Sequence, residues 1–187
     1  MRIICYGDSN TYGYDPRSFS SGLYPPESRW VDILAGDSGW ELENWGENGR
    51  TIPERPPKLP ARQPDLFLVM LGSNDLLLLC PPGLVLVRME QFLCSLPLPW
   101  ERLFLLAPPP FCPGEWLREP ELLAASRQLG PAYRGLAEKL GIPFADSAEW
   151  QIPLAFDGLH FTEEGNRIFA GSLYAAIKQY TEAAGIK

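Results

Sequence analysis

The stretch Asp65-Leu66-Phe67-Leu68-Val69-Met70-Leu71-Gly72-Ser73-Asn74-Asp75 decides the architecture. Its apolar run is unbroken from Leu66 to Leu71, then gives way at once to Gly72 and three polar residues. A short run of this kind predicts a strand buried on both faces, and such strands belong to parallel sheets covered by helices on either side. Working outward, Ile3 to Tyr6 reads as a first strand and Trp40 to Trp45, alternating apolar and polar, as a second. Leu103 to Leu106 and Ile142 to Ala145 supply two more strands. Between them lie helical patterns over Ser28–Leu34, with Ser28 as a cap, over Leu84–Leu96, and over Glu115–Leu140 with a break at Gly130-Pro131. Thr162 is placed to cap a last helix, with Glu163 and Glu164 in its first turn. Strands alternating with helices predict an α/β fold: a three-layer α/β/α sandwich around a parallel five-stranded sheet with right-handed crossovers.

The 187 residues fit a single domain, 1–187, and the 20 prolines gather in connections such as Pro53–Pro64 and Pro108–Pro113. A formal net charge of −7 without a basic run argues against nucleic acid as a partner. The most apolar region is broken by Ser73, Asn74, Asp75, Pro81 and Pro82, so no membrane span is expected. Met1-Arg2 leads straight into an apolar strand without a signal-peptide pattern, which predicts a cytoplasmic location. The four cysteines lack metal-ligand spacing and the chain has one histidine, so neither a metal nor another cofactor is expected.

In open α/β sheets ligands bind beyond the carboxyl ends of the strands. Ser9 in Gly7-Asp8-Ser9-Asn10 follows the first strand on a strand-to-loop turn, and Gly49 in Asn48-Gly49-Arg50-Thr51 follows the second. Asn74 follows the third, and Asp157 with His160, the sole histidine, follows the last. One sheet edge therefore gathers the parts of an acyl-transfer site. A serine is a weak nucleophile until a base takes its proton, and a carboxylate three residues from the histidine can hold the imidazole tautomer. The N–H groups of Ser9 and Gly49 and the side-chain amide of Asn74 can stabilise an oxyanion. A glycine at 49 leaves room for close backbone approach to a ligand.

Each feature has a plainer reading. Ser9 can be a loop hydrogen-bonder or a cap, His160 a satisfied polar group before a helix, Asn74 a strand terminator and Gly49 a turn glycine. Gly-Asp-Ser is itself weak, because Gly36-Asp37-Ser38 repeats it between a helix and a strand, where it reads as a turn. Asp8 and Asp75 read as loop braces. The aromatics Tyr12, Tyr14, Phe19, Tyr24, Trp116, Trp150 and Phe156 are candidates to line a pocket or to pack against loops. No Gly-x-Ser-x-Gly elbow and no phosphate-binding glycine loop is present.

Taken together, Gly7-Asp8-Ser9-Asn10-Thr11, Asn48-Gly49-Arg50-Thr51, Gly72-Ser73-Asn74-Asp75 and Asp157-Gly158-Leu159-His160 resemble the four blocks of the SGNH (GDSL-type) hydrolase family, over Ile3 to about Ala170. Asn10 stands where many members have leucine, and Asn10-Thr11-Tyr12-Gly13-Tyr14 is closer to the bacterial arylesterase and acyltransferase branch. The resemblance implies a flavodoxin-like sheet, Ser9 as nucleophile, Asp157 and His160 completing the triad, and Gly49 and Asn74 as oxyanion donors. The expected activity is a serine esterase acting on small-molecule esters with short acyl groups, acetyl foremost, through a Ser9 acyl-enzyme. An acyltransferase and a non-catalytic binding module on the same scaffold are the alternatives. Related small esterases often associate, so a homo-oligomer is within the expectation.

Overall fold

The computed structural model describes residues 1–18 and 22–185. Five strands, β1 (Arg2–Gly7), β2 (Glu41–Gly46), β3 (Leu66–Met70), β4 (Leu103–Ala107) and β5 (Phe144–Asp146), form one all-parallel sheet in the order β2-β1-β3-β4-β5. This is the flavodoxin-like order, whose direction of winding reverses between β1 and β3. The segments after those two strands therefore splay apart and leave a crevice.

Alternation along the central strands builds two cores. Ile4, Tyr6, Phe67, Val69, Leu103 and Leu105 face one side, where α4 (Pro82–Ser95) and α6 (Leu129–Leu140) contribute Met89, Phe92, Tyr133 and Leu136. Ile3, Cys5, Leu66, Leu68, Met70, Phe104 and Leu106 face the other, against Trp30, Val31 and Leu34 of α2 (Trp30–Ser38) and Phe169, Leu173 and Ile177 of α7 (Glu163–Ala184). The apolar run that opened the reading is β3, buried at every position because helices cover both faces. Three short helices complete the fold: α1 (Ser9–Tyr12), α3 (Ser73–Leu77) and α5 (Pro120–Ser126). No helix among the described residues is long and apolar enough to cross a membrane.

Several boundaries differ from the sequence reading. Ser28 does not cap α2: it closes a 3₁₀ turn at Pro26–Ser28, and the first N–H of α2, at Trp30, donates instead to Asn166 Oδ1 of α7 at 3.1 Å. The expected helix over Glu115–Leu140 starts only at Pro120, which occupies the first helical position where a missing N–H costs nothing. Its break falls at Arg127-Gln128 rather than Gly130-Pro131, since Pro131 lies in the first turn of α6, among residues whose N–H groups have no intrahelical partner. Ile142 is not in β5; its N–H returns to the Ala137 carbonyl at 3.0 Å and closes the end of α6 after Gly141. Gly36-Asp37-Ser38 is the last turn of α2 rather than a turn beyond it, and Ser9 opens α1 instead of sitting on a loop.

Candidate active site

The carboxyl ends of β1, β2 and β3 deliver the first three motifs to one edge, and the segment ahead of α7 delivers the fourth. Asp8 caps α1 by accepting from the Asn10 N–H at 3.1 Å, which presents Ser9 as the first helical residue. The Ser9 hydroxyl lies 2.9 Å from His160 Nε2, and His160 Nδ1 lies 2.7 Å from Asp157 Oδ2. A carboxylate only accepts, so Nδ1 carries the hydrogen and Nε2 is left free to accept from Ser9. Asp157 Oδ1 accepts from the Leu159 and His160 N–H groups at 2.9 and 3.0 Å, so the carboxylate is fixed by its own loop. Burial pushes the Asp157 carboxyl up, but the imidazole and these two N–H groups outweigh it and hold it below the usual carboxylate range. Asp157 is fully buried, and Ser9 and His160 are nearly so. The sequence-predicted Ser9, Asp157 and His160 are thus brought into one hydrogen-bonded chain.

Gly49 and Asn74 line the same cavity as Ser9 and His160, a space of about 330 Å³ shared with Tyr14, Asn48, Leu77, Trp116 and Leu159. Asn74 Nδ2 donates to the Arg50 carbonyl at 3.1 Å, which spends one of its two hydrogens and leaves a second for the cavity. Gly49 adopts φ +72°, and a Cβ there would meet no protein atom within 4 Å. The backbone conformation, rather than crowding by the protein, is what calls for glycine. The loop that carries Gly49 is held from two directions. Asp75 Oδ2 accepts from the Ile52 N–H at 3.0 Å, and the Arg50 guanidinium donates to the carbonyls of Gly7 and Trp45 while lying over the Tyr6 ring. Asp75 therefore braces a loop, as read from the sequence, whereas Asp8 caps a helix instead. Burial raises both carboxyls, Asp8 to about 6.

Asn10 is a positioning residue that the sequence exposed only as an unusual letter. Its Nδ2 donates to the Leu159 carbonyl at 3.2 Å and its Oδ1 accepts from the Phe161 N–H at 3.0 Å. One buried amide thus grips the backbone on both sides of His160 and ties it to the residue after Ser9. Trp30 Nε1 in turn donates to the Asn10 carbonyl at 2.9 Å. Tyr14 and Trp116 flank the imidazole, with ring centroids 4.6 and 5.9 Å away, and Phe156 packs edge-on to Trp116. The remaining aromatic candidates separate: Tyr12 ends α1 and is not among the residues lining the cavity, Tyr24 is buried with its hydroxyl on the Phe161 carbonyl, Trp150 packs on Phe169, and Phe19 lies outside the described residues. Among the described residues no group of three or more His, Cys, Asp or Glu is placed to hold a metal ion.

The sequence model of the GDSL-like lipase/acylhydrolase family matches residues 5–168. A search among curated proteins finds no match. Among solved structures, a carbohydrate acetylesterase family member from Sinorhizobium meliloti superposes with a TM-score of 0.79 at 25% identity, covering 96% of this chain and 98% of its own. The inhibitor-bound aryl esterase of M. smegmatis superposes with a TM-score of 0.81 at 24% identity, covering 96% and 99%.

Proposed function

Because the chain belongs to the GDSL-like lipase/acylhydrolase family, we propose that it is a serine esterase that cleaves small esters with short acyl groups, acetyl foremost, through a Ser9 acyl-enzyme. The observation that carries this reading is the run Asp157–His160–Ser9, with contacts of 2.7 and 2.9 Å, opening onto a cavity that also holds Gly49 and Asn74. Ser9 attacks the carbonyl carbon as His160 Nε2 takes its proton, and Asp157 stabilises the imidazolium that results. The N–H groups of Ser9 and Gly49 and the free Asn74 N–H meet the oxygen as it becomes an anion. His160 returns the proton to the departing alcohol, and water repeats the sequence in reverse to free the acid. A short acyl group fits within the cavity of about 330 Å³ beside Ser9. The carbohydrate acetylesterase likeness supports the acetyl preference, and the aryl esterase likeness is of fold alone.

Incubation with a fluorophosphonate probe followed by peptide mapping tests the assignment. Label is expected on Ser9, together with turnover of p-nitrophenyl acetate. Label elsewhere, or none alongside an inert protein, overturns it in favour of a binding module. Product analysis with an added alcohol then reads how the acyl-enzyme divides between water and acyl transfer.

A further inference from the structure

A second, larger groove lies next to the candidate site. It encloses about 590 Å³ between the end of α3 with its following loop and the face of α5, and is lined by Leu76, Leu77, Leu79, Pro82, Leu122 and Ala125 among others. Two of its walls, Leu77 and Trp116, are also walls of the cavity beside Ser9, so the two spaces adjoin. Among the described residues no basic side chain lines it, and its charged residues are Glu119 and Glu121, a setting that repels an anion. Leu79 is 83% exposed and held at φ +60°, a backbone region that a bulky side chain seldom occupies. The Leu79 and Cys80 N–H groups, bonded to the Leu76 and Asp75 carbonyls, hold the turn and keep this side chain at the groove.

The direction of the chemistry says which half of the ester lies there. As Ser9 Oγ bonds to the acyl carbon, its proton passes to His160 Nε2. When the carbon–oxygen bond to the alcohol breaks, that proton goes to the alcohol oxygen. The alcohol oxygen must then lie within reach of His160 Nε2, and the first carbons of the alcohol lie beside the imidazole. Trp116 stands there, edge-on with its ring centroid 5.9 Å from that of the imidazole, and it also lines the groove.

Resting on the esterase reading above, we propose that this groove is the alcohol subsite and takes an uncharged, extended apolar alcohol. A chain of about six to ten carbons is a fitting occupant, since clefts of roughly 300–1,000 Å³ enclose ligands of at least that size. Burial along Leu77, Trp116, Leu79 and Leu122 then favours the longer ester in kcat/KM.

The test compares ethyl acetate with octyl acetate, and p-nitrophenyl acetate with p-nitrophenyl octanoate, on the wild-type chain and two variants. Octyl acetate is expected to exceed ethyl acetate roughly 10- to 100-fold in kcat/KM, a partial return on the burial of six methylenes. Leu79→Asn, which suits a positive φ and puts an amide in the groove, should lower that ratio about tenfold and leave ethyl acetate unchanged. Ala125→Phe, which fills the groove, should do the same. A ratio near one in the wild type, or a ratio that neither variant changes, overturns the proposal while ethyl acetate turnover keeps the esterase reading intact. A gain with acyl length in place of alcohol length assigns the groove to the acyl chain and overturns it too. So does light scattering that shows a dimer broken by Leu79→Asn with a flat alcohol series, because a second copy then covers the groove. Inertness towards all four esters removes the esterase reading itself.

Discussion

Gly7-Asp8-Ser9 and Gly36-Asp37-Ser38 are the same tripeptide in two environments. The first straddles the end of β1 and the start of α1; its aspartate and serine are buried, and the serine faces His160. The second ends α2 at the surface; its serine hydroxyl donates to the Leu34 carbonyl at 2.6 Å and accepts from the Trp40 N–H at 3.1 Å. Ser38 is spent on local structure, whereas Ser9 is left for a partner 151 residues away. What separates the two copies is the sheet edge that presents the first and what the topology brings opposite it. The three letters contribute little alone.

The largest effect expected from the comparison separates the two serines. Ser9→Ala should lower esterase kcat/KM by roughly 10⁴-fold or more, since one triad member is lost. Ser38→Ala should leave the rate unchanged and cost at most about 1 kcal/mol of stability for its helix-end hydrogen bonds. Kinetics with p-nitrophenyl acetate and thermal melts on both proteins measure this. Equal loss in both, or activity in the first, breaks the distinction.

A second test asks what the edge supplies besides the base. Asn74→Ala should reduce kcat by roughly 10²–10³ with little change in KM, because a donor aimed at the oxyanion acts mainly in the transition state. A lowered melting temperature with kcat intact assigns Asn74 only to its contact with the Arg50 carbonyl. The residues that follow the two serines sharpen the point further: Asn10 follows one and Gly39 the other. Asn10→Leu removes the grip on Leu159 and Phe161, so the imidazole drifts relative to Ser9. A fall in kcat of about 10- to 100-fold is expected, with KM nearly constant, as for a small misplacement of reacting groups. An unchanged kcat shows that the loop holds His160 without it.

The same contrast explains what a linear reading can see. β1, β3 and β4 were legible because a strand buried on both faces is apolar almost throughout, and a run of five or six residues is short for a helix. The four motifs were legible as neighbours because three follow strands of the sheet and the fourth precedes the last helix. Residues 115–119 misled because their side chains suit a helix, while the backbone before Pro120 is pushed towards extended geometry. Ser28 misled because the cap of α2 comes from Asn166, 136 residues beyond Trp30. The role of Asn10 stayed hidden for the same reason: both its partners lie on a distant loop, and no local rule pairs them.

Asp8 offers a smaller, pH-dependent difference. Burial raises its carboxyl from an ordinary value near 3.8 to about 6, so the folded state binds its proton more tightly than the unfolded chain. The stability this contributes is intact below about pH 4 and is lost as pH rises through about 6, the reverse of a paired carboxylate. Asp8→Asn keeps the cap and removes the titration. Its stability relative to wild type should therefore climb between pH 4 and pH 8, by up to about 3 kcal/mol for a shift of about two units. Urea unfolding at both pH values measures the slope, with Asp37→Asn on an exposed side chain as the control. A flat difference shows that Asp8 ionises freely in the folded protein.

The two glycines give the finest division. A Cβ on Gly7 would sit 2.1 Å from Thr11 Oγ1 and 3.0 Å from the Met70 carbonyl, so the strand end and α1 approach too closely for a side chain. A Cβ on Gly36 would meet nothing within 4 Å, and its backbone is ordinary right-handed helix. Gly7→Ala should then destabilise by about 1–3 kcal/mol, as overpacking does, and displace Ser9 with it. Gly36→Ala should stabilise by about 0.5–1 kcal/mol, since alanine restricts the unfolded chain and suits a helix interior. Opposite signs in paired urea titrations are the expected result. If both substitutions destabilise, the C-terminal turn of α2 is packed against something at Gly36, and the second copy is not the unconstrained surface turn that its exposure indicates. If neither does, the backbone of α1 can shift away from Gly7, and the close approach of β1 to α1 is not what holds Ser9 in front of His160.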